Sequence, residues 1–284
     1  MPSMPDIRLD QRAAAGLVLL AIASGTAFGG AITLETTLRS TVAETTVRTT
    51  LAVRNTGTDA AHDVTPRLRF ADVVRTGALV RDLPPGRAHE WTVEFPRPPA
   101  AGRYPLLLTV AYNDPGYRSF SAPSAALVDV GGVFPARVHG SVPPLALDSD
   151  GTLTLVLVDD DTVSHAARLG VLLPDELGGP RAVGSVELMP GKARTLALPL
   201  QNHGGLAGSR YPVYAVVQLT DGEHETAALV SGQVTIVSAL AVDWGSYLPR
   251  AAAALAVLWA VAALTLALRR RRPPRVAPAP RRTR

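Results

Sequence analysis

Two kinds of apolar pattern run along this chain, and they call for different elements. From Ile32 to Val237 the apolar runs are short and several alternate with polar residues, as in Thr49-Thr50-Leu51-Ala52-Val53-Arg54 and Thr152-Leu153-Thr154-Leu155-Val156-Leu157. A period of two places every second side chain on one face of a strand. Turn sequences break these runs repeatedly: Asn55-Thr56-Gly57, Pro84-Pro85-Gly86, Asn113-Asp114-Pro115-Gly116, Met189-Pro190-Gly191 and Thr220-Asp221-Gly222. Short strands with turn residues at their corners predict an all-β sandwich architecture. In each Pro-Gly pair, Pro presets φ and Gly accepts positive φ, so Pro85-Gly86 and Pro190-Gly191 are expected to join neighbouring strands.

The apolar runs at the two ends are unbroken. Arg8 and Arg12 precede the run Ala13 to Ala23, which is followed by small residues including Ala27 and Gly29. A charged start, an apolar centre and a small-residue exit predict a signal peptide over 1–29, the alternative being an uncleaved anchor from Ala13 to Ala31. The second run, Leu248 to Leu268, carries one charge, Arg250. Its residues beyond that charge span roughly 27 Å as a helix, enough to cross a bilayer. Trp244 and Tyr247 stand at one end and Arg269, Arg270, Arg271 and Arg272 at the other. Aromatic residues favour the headgroup region and arginines the cytoplasmic side, so a single-pass orientation follows: 248–268 in the cytoplasmic membrane, the bulk of the chain outside the cytoplasm (periplasmic or cell-surface), and 269–284 a cytoplasmic arginine-rich tail.

The middle region repeats. The strand that ends at Asn55-Thr56-Gly57 corresponds to the one that ends at Asp159-Asp160-Asp161, and Leu83-Pro84-Pro85-Gly86-Arg87-Ala88 to Leu188-Met189-Pro190-Gly191-Lys192-Ala193. Gly102-Arg103-Tyr104-Pro105 corresponds to Gly208-Ser209-Arg210-Tyr211-Pro212, and a last strand follows in each half, near Ala125 to Val130 and Leu229 to Val237. Two tandem domains are expected, 32–132 and 136–239.

Composition removes several function classes. The absence of cysteine excludes thiol catalysis, zinc-thiolate sites and disulfides. The formal charge of +4 suggests nucleic acid until its position is considered. Between Ile32 and Arg250 there are 18 Lys and Arg against 22 Asp and Glu, a net of −4, so the basic character belongs to the tail. No nucleic-acid partner is expected; the tail arginines suit anionic lipid instead.

The strand ending in Asn-Thr-Gly, then Leu-Pro-Pro-Gly, then Gly-Arg-Tyr-Pro leading into an alternating strand resembles the bacterial immunoglobulin-like envelope domains of the cell-adhesion-related (CARDB) and NPCBM-associated (NEW3) groups. In the second half Asp159-Asp160-Asp161 replaces the Asn-x-Gly turn, and only the Pro-Gly and Tyr-Pro elements match. The resemblance implies two immunoglobulin-like sandwiches used as spacer, adhesive surface or docking surface, and it carries over no catalytic residue.

Candidate chemistry is sparse. His62, His89, His139, His165, His203 and His224 lack metal-ligand spacing and read as exposed turn residues, and Gly-x-Ser-x-Gly is absent. Asp148 and Asp150 at one end of a strand, with Asp159, Asp160 and Asp161 at the other, invite a calcium reading, but the closing Glu of a calcium loop is missing and solvated turns are the alternative. The loop His203 to Ser209 is glycine-rich but lacks the Lys-Ser/Thr ending of a phosphate loop. Tyr104 and Tyr211 occupy equivalent positions and read as corner or core residues; Trp91 reads as core. No catalytic, cofactor-binding or metal residue is assigned, and no cofactor. The expectation is a non-enzymatic, membrane-anchored envelope protein that docks an envelope or membrane protein partner, the alternative being a surface protein that adheres to a cell-wall polymer.

Overall fold

The computed structural model describes residues 31–221 and 224–238. The expected signal peptide, membrane segment and tail lie outside these residues. Every regular element among the described residues is a strand, as the alternating pattern predicts. No helix there is long and apolar enough to cross a membrane.

The first half contains β1 (Leu34–Val42), β2 (Thr46–Asn55), β3 (Ala61–Phe70), β4 (Val73–Thr76), β5 (Val80–Leu83), β6 (Ala88–Pro96), β7 (Gly102–Asn113) and β8 (Ser119–Val130). The second contains β9 (Val138–Ser141), β10 (Leu145–Leu147), β11 (Asp150–Asp159), β12 (His165–Leu172), β13 (Leu177–Gly178), β14 (Ala182–Leu188), β15 (Ala193–Asn202), β16 (Arg210–Asp221) and β17 (His224–Ile236). In the first half the sheet β1-β2-β6 faces one in which β8 pairs β7, β7 pairs β3, and β3 pairs β4 and β5. The second half repeats the plan, with β13-β15-β11-β9 facing β14-β12-β16-β17 and with β10 on the other edge of β17. Each half is thus a pair of packed sheets.

Alternation explains the packing. Along β2, Val47, Leu51 and Val53 are buried together with Trp91, Val93 and Phe95 of β6, and they meet Leu68, Phe70, Leu106 and Leu108 from the opposite sheet. A second, separate core gathers Leu153, Leu155 and Leu157 of β11 with Val213, Ala215 and Val217 of β16. Full burial stabilises each large aliphatic or aromatic side chain by roughly 1.5–3 kcal/mol, so each face of alternating residues sets which way its sheet turns.

The two Pro-Gly turns stand where the sequence places them, but each crosses between sheets. Gly86 has φ 74° and Arg87 N–H donates to the Pro84 carbonyl at 3.1 Å, so β5 in one sheet leads to β6 in the other. Gly191, at φ 62°, does the same between β14 and β15, with Lys192 N–H on the Met189 carbonyl at 3.1 Å. A positive φ at the third position makes each a type II turn, whose chain reversal serves a sheet switch as well as a hairpin. The last strands also begin earlier than expected, at Ser119 and His224. Pro123 disguises the start of β8, yet it shares the outward-facing edge with Ser121, so no ladder bond is lost.

Candidate interaction surface

The halves meet along a shared sheet. Gly102, the first residue of β7, pairs in parallel with Glu225 of β17, joining the two larger sheets into one of ten strands. A Cβ on Gly102 would lie 2.2 Å from the Glu225 carbonyl oxygen, so only glycine admits this approach. Beside the seam, Glu176 closes the free edge of β8. Its carboxylate accepts the Ser121 N–H at 2.8 Å and the Ser121 hydroxyl at 3.2 Å, while Asp175 N–H donates to the same hydroxyl at 2.7 Å. Glu176 and Ser121 are both buried. Burial raises the Glu176 carboxyl above the ordinary glutamate range, and the bonds from Ser121 oppose the rise. Tyr112 stacks on Phe120, and its hydroxyl is pushed well above the usual tyrosine value by burial first and by the Glu176 charge second. This junction therefore holds a charged group in an apolar setting, with both carboxylate oxygens used to bind one half to the other.

On the outer face of the joined sheet lies a groove of about 840 Å³. Arg67 and Arg69 rise from β3 on the face opposite the core, where Leu68 and Phe70 point inward. They stand beside Thr109 and Leu107 of β7 in register. Across the seam, Arg168 of β12 stands beside Gln218 of β16. Arg97 and Arg181 complete the basic lining, and the acidic residues are Asp72 and Glu225. Arg181 is held by Asp175 at 2.8 Å, and Arg97 reaches the carbonyls of Ala43 and Glu44 at 3.4 Å. The side chains of Arg67, Arg69 and Arg168 make no ion pair or hydrogen bond with any described residue. The floor between them is apolar, formed by Pro105, Leu107, Leu172 and Val216.

The residues singled out from the sequence fall elsewhere. Asp148 and Asp150 stand at the start of β11, whose ten residues separate them from Asp159 by roughly 30 Å. The aspartates at the far end have protein partners: Asp159 with His165 at 3.0 Å, Asp160 with His139 at 2.8 Å and Asp161 with Arg137 at 2.6 Å. Among the described residues no group of His, Cys, Asp and Glu side chains is arranged to hold a metal ion. The histidines are scattered, and several correct the expectation of exposed turn residues: His89 and His139 lie within strands, His62 lies within β3 with a side chain 25% exposed, and His165 opens β12 with a side chain only 11% exposed, held by the fully buried Asp159. Asp159 keeps it inside because a carboxylate at zero exposure needs a donor.

The tyrosines and Trp91 behave as core and corner residues. Tyr104 donates to the Ala100 carbonyl at 2.9 Å, and the Tyr211 hydroxyl accepts the Leu206 N–H at 3.2 Å. Trp91 is buried and donates its indole N–H to the Ala78 carbonyl at 2.8 Å. The glycine-rich loop is tied locally, Gly205 N–H on the Asn202 side chain at 2.7 Å. The missed residues are Ser121, Glu176 and the groove arginines. Arg67-x-Arg69 in an alternating strand marked a charged outer face, but nothing local placed Arg168 opposite it.

Comparison with protein-family models and with curated proteins finds no match. Among solved structures, Escherichia coli alpha-2-macroglobulin in its native conformation is similar over 72% of this chain, with 12% identity and a TM-score of 0.31. The match covers 17% of that chain, so this protein corresponds to a small part of its length. Red sea bream transglutaminase is similar over 71% of this chain and 31% of its own, with 13% identity and a TM-score of 0.26. A protein of unknown function from Porphyromonas gingivalis is similar over 71% of this chain and 99% of its own, with 14% identity and a TM-score of 0.29.

Proposed function

We propose that this chain is a non-enzymatic docking protein of a bacterial envelope, two immunoglobulin-like domains, 32–132 and 136–239, held outside the cytoplasm by a membrane helix over 248–268. The observation that carries the docking reading is the junction: a glycine seam and a buried carboxylate bridge fix two sandwiches so that their outer sheet faces form one surface. A mere spacer has no need of a shared, grooved face. The strand order supports the immunoglobulin-like assignment, since β1-β2-β6 opposed to β8-β7-β3 repeats the A-B-E and G-F-C arrangement of such domains. The likeness to CARDB and NEW3 modules belongs to the same reading. The apolar run at 248–268 and its flanking arginines support the anchor, with the tail against anionic lipid.

The test is crosslinking of the tagged, full-length chain in intact cells, followed by detergent extraction, affinity capture and mass spectrometry. One reproducible, near-stoichiometric envelope or membrane protein is the expected result. Recovery of the chain alone overturns the reading.

A further inference from the structure

We propose that the groove between the two halves binds an extended acidic peptide segment in which apolar residues separate the carboxylates. This deepens the docking reading and rests on it.

Charge is the first ground. The region from Ile32 to Arg250 is net −4, yet the groove lining holds five arginines against two carboxylates, a local reversal of sign. A positive site on a negative background attracts anions locally while the rest of the surface repels them. The side chains of three of the five, Arg67, Arg69 and Arg168, have no ion pair or hydrogen bond with a described residue and keep their donors available. A guanidinium binds a carboxylate through two parallel N–H bonds.

Spacing is the second. Arg67 and Arg69 lie two residues apart on one strand face, about 7 Å along it, which is the repeat at which an extended peptide presents alternate side chains. A segment with a carboxylate at every second position matches that spacing.

The floor is the third. Pro105, Leu107, Leu172 and Val216 offer apolar surface between the charged walls. A uniform polyanion gains nothing from that floor and meets Asp72 and Glu225 as repulsion. A peptide with leucine-like residues between its acids buries them there. The chain's own arginine-rich tail carries the same sign as the groove and is not its occupant.

The experiment uses the full-length chain in nanodiscs of neutral lipid, with fluorescence anisotropy of a labelled peptide of alternating Glu and Leu and with empty nanodiscs as the blank. Binding that weakens with salt is expected, with at least about tenfold loss in the Arg67→Ser, Arg69→Ser, Arg168→Ser triple variant. Since those side chains are exposed, the variant keeps the wild-type unfolding midpoint, which is measured alongside. An alternating Glu and Ser peptide should bind several-fold more weakly. No binding by the wild type, or equal binding by the triple variant, overturns the proposal. Tighter binding of inorganic polyphosphate than of the peptide reassigns the groove to an anionic polymer, and a dimer that the triple variant dissociates reassigns it to a second copy; either result overturns it. The docking reading stands or falls separately, on the crosslinking experiment: a captured partner that still binds the triple variant leaves that reading standing and removes this one.

Discussion

The two halves solve one structural problem with different chemistry, and the difference is clearest where β2 and β11 end. In the first half Asn55, fully buried, donates to the carbonyls of Leu83 and Asp59 at 2.9 and 2.7 Å and accepts the Gly57 N–H at 3.0 Å. In the second, Asp159, equally buried, accepts the Asp161 N–H at 3.0 Å and holds His165 at 3.0 Å. The side-chain bond two residues onward is common to both, and so is the bond from the Pro-Gly turn, Gly86 N–H to the Asn55 carbonyl and Gly191 N–H to the Asp159 carbonyl. The aspartate triplet is therefore the same pin as Asn-Thr-Gly, and the repeat is more complete than the residues suggest. What changed is the second partner: an amide that donates to backbone was exchanged for a carboxylate that needs a donor, and His165 supplies it.

The largest effect should come from forcing the second half's chemistry on the first. Asn55→Asp removes the donor to Leu83 and Asp59 and turns a buried carboxylate toward two carbonyls, with no histidine in place. A loss on the order of 3 kcal/mol or more is expected, read as a lower urea midpoint of the full chain. A change within error would mean that Asn55 is not the pin.

The glycines that precede Tyr104 and Tyr211 give the next contrast. Gly208 needs its backbone, at φ 85° with open space around a Cβ, whereas Gly102 needs the absence of a side chain because the Glu225 backbone lies against it. Gly102→Ala should cost about 2 kcal/mol through forced displacement of the seam. It should also weaken binding at the groove, whose walls the seam sets in place. Normal stability and normal peptide binding in this variant would show that the halves do not depend on that approach.

These contrasts also mark what the sequence could tell. Alternation at Leu51 and Val53 or Leu153 and Leu155, and the punctuation at Gly86 and Gly191, sufficed for an all-β chain with a repeat, because strand period and turn conformation are local properties. The sheet switch at those same turns was not legible, since a type II turn looks alike in a hairpin and in a crossover. The groove was half legible. Arg67 and Arg69 announce an outward face, but Arg168 reaches it through the junction of the halves, where Gly102 pairs with Glu225 and Ser121 bonds Glu176, contacts between residues far apart in the chain. Glu176 carries no local signal in the sequence, because its burial depends on the edge of β8, in the other half.

A smaller effect is expected from the reverse exchange. Asp159→Asn keeps the oxygen that accepts the Asp161 N–H, and its new amide can donate to His165 Nδ1 once the ring adopts the other tautomer. About 1 kcal/mol is expected in the same urea assay, well below the cost at Asn55. Equal costs at the two positions would mean that His165 does not set the choice of carboxylate.

Glu176 offers the finest test, because it is where the halves depend on each other and its effect is one of slope. Its carboxyl is raised above the ordinary 4.5 by burial, so the folded state binds a proton over a pH range in which the unfolded chain has released it. The stability contributed by that protonation is present in full below about pH 4.5 and is lost as pH rises through the raised value. Glu176→Gln has no proton to lose there, so the stability of wild type relative to variant should fall between pH 4.5 and neutrality and then level off. Unfolding midpoints measured across that interval decide it. A difference that stays flat would mean that the carboxyl titrates as an exposed one does and that water reaches the junction. A difference that falls and extends to higher pH in a Ser121→Ala background would instead place the titration at the contact between β8 and the second half, since the lost hydroxyl no longer favours the charged carboxylate and the carboxyl rises further.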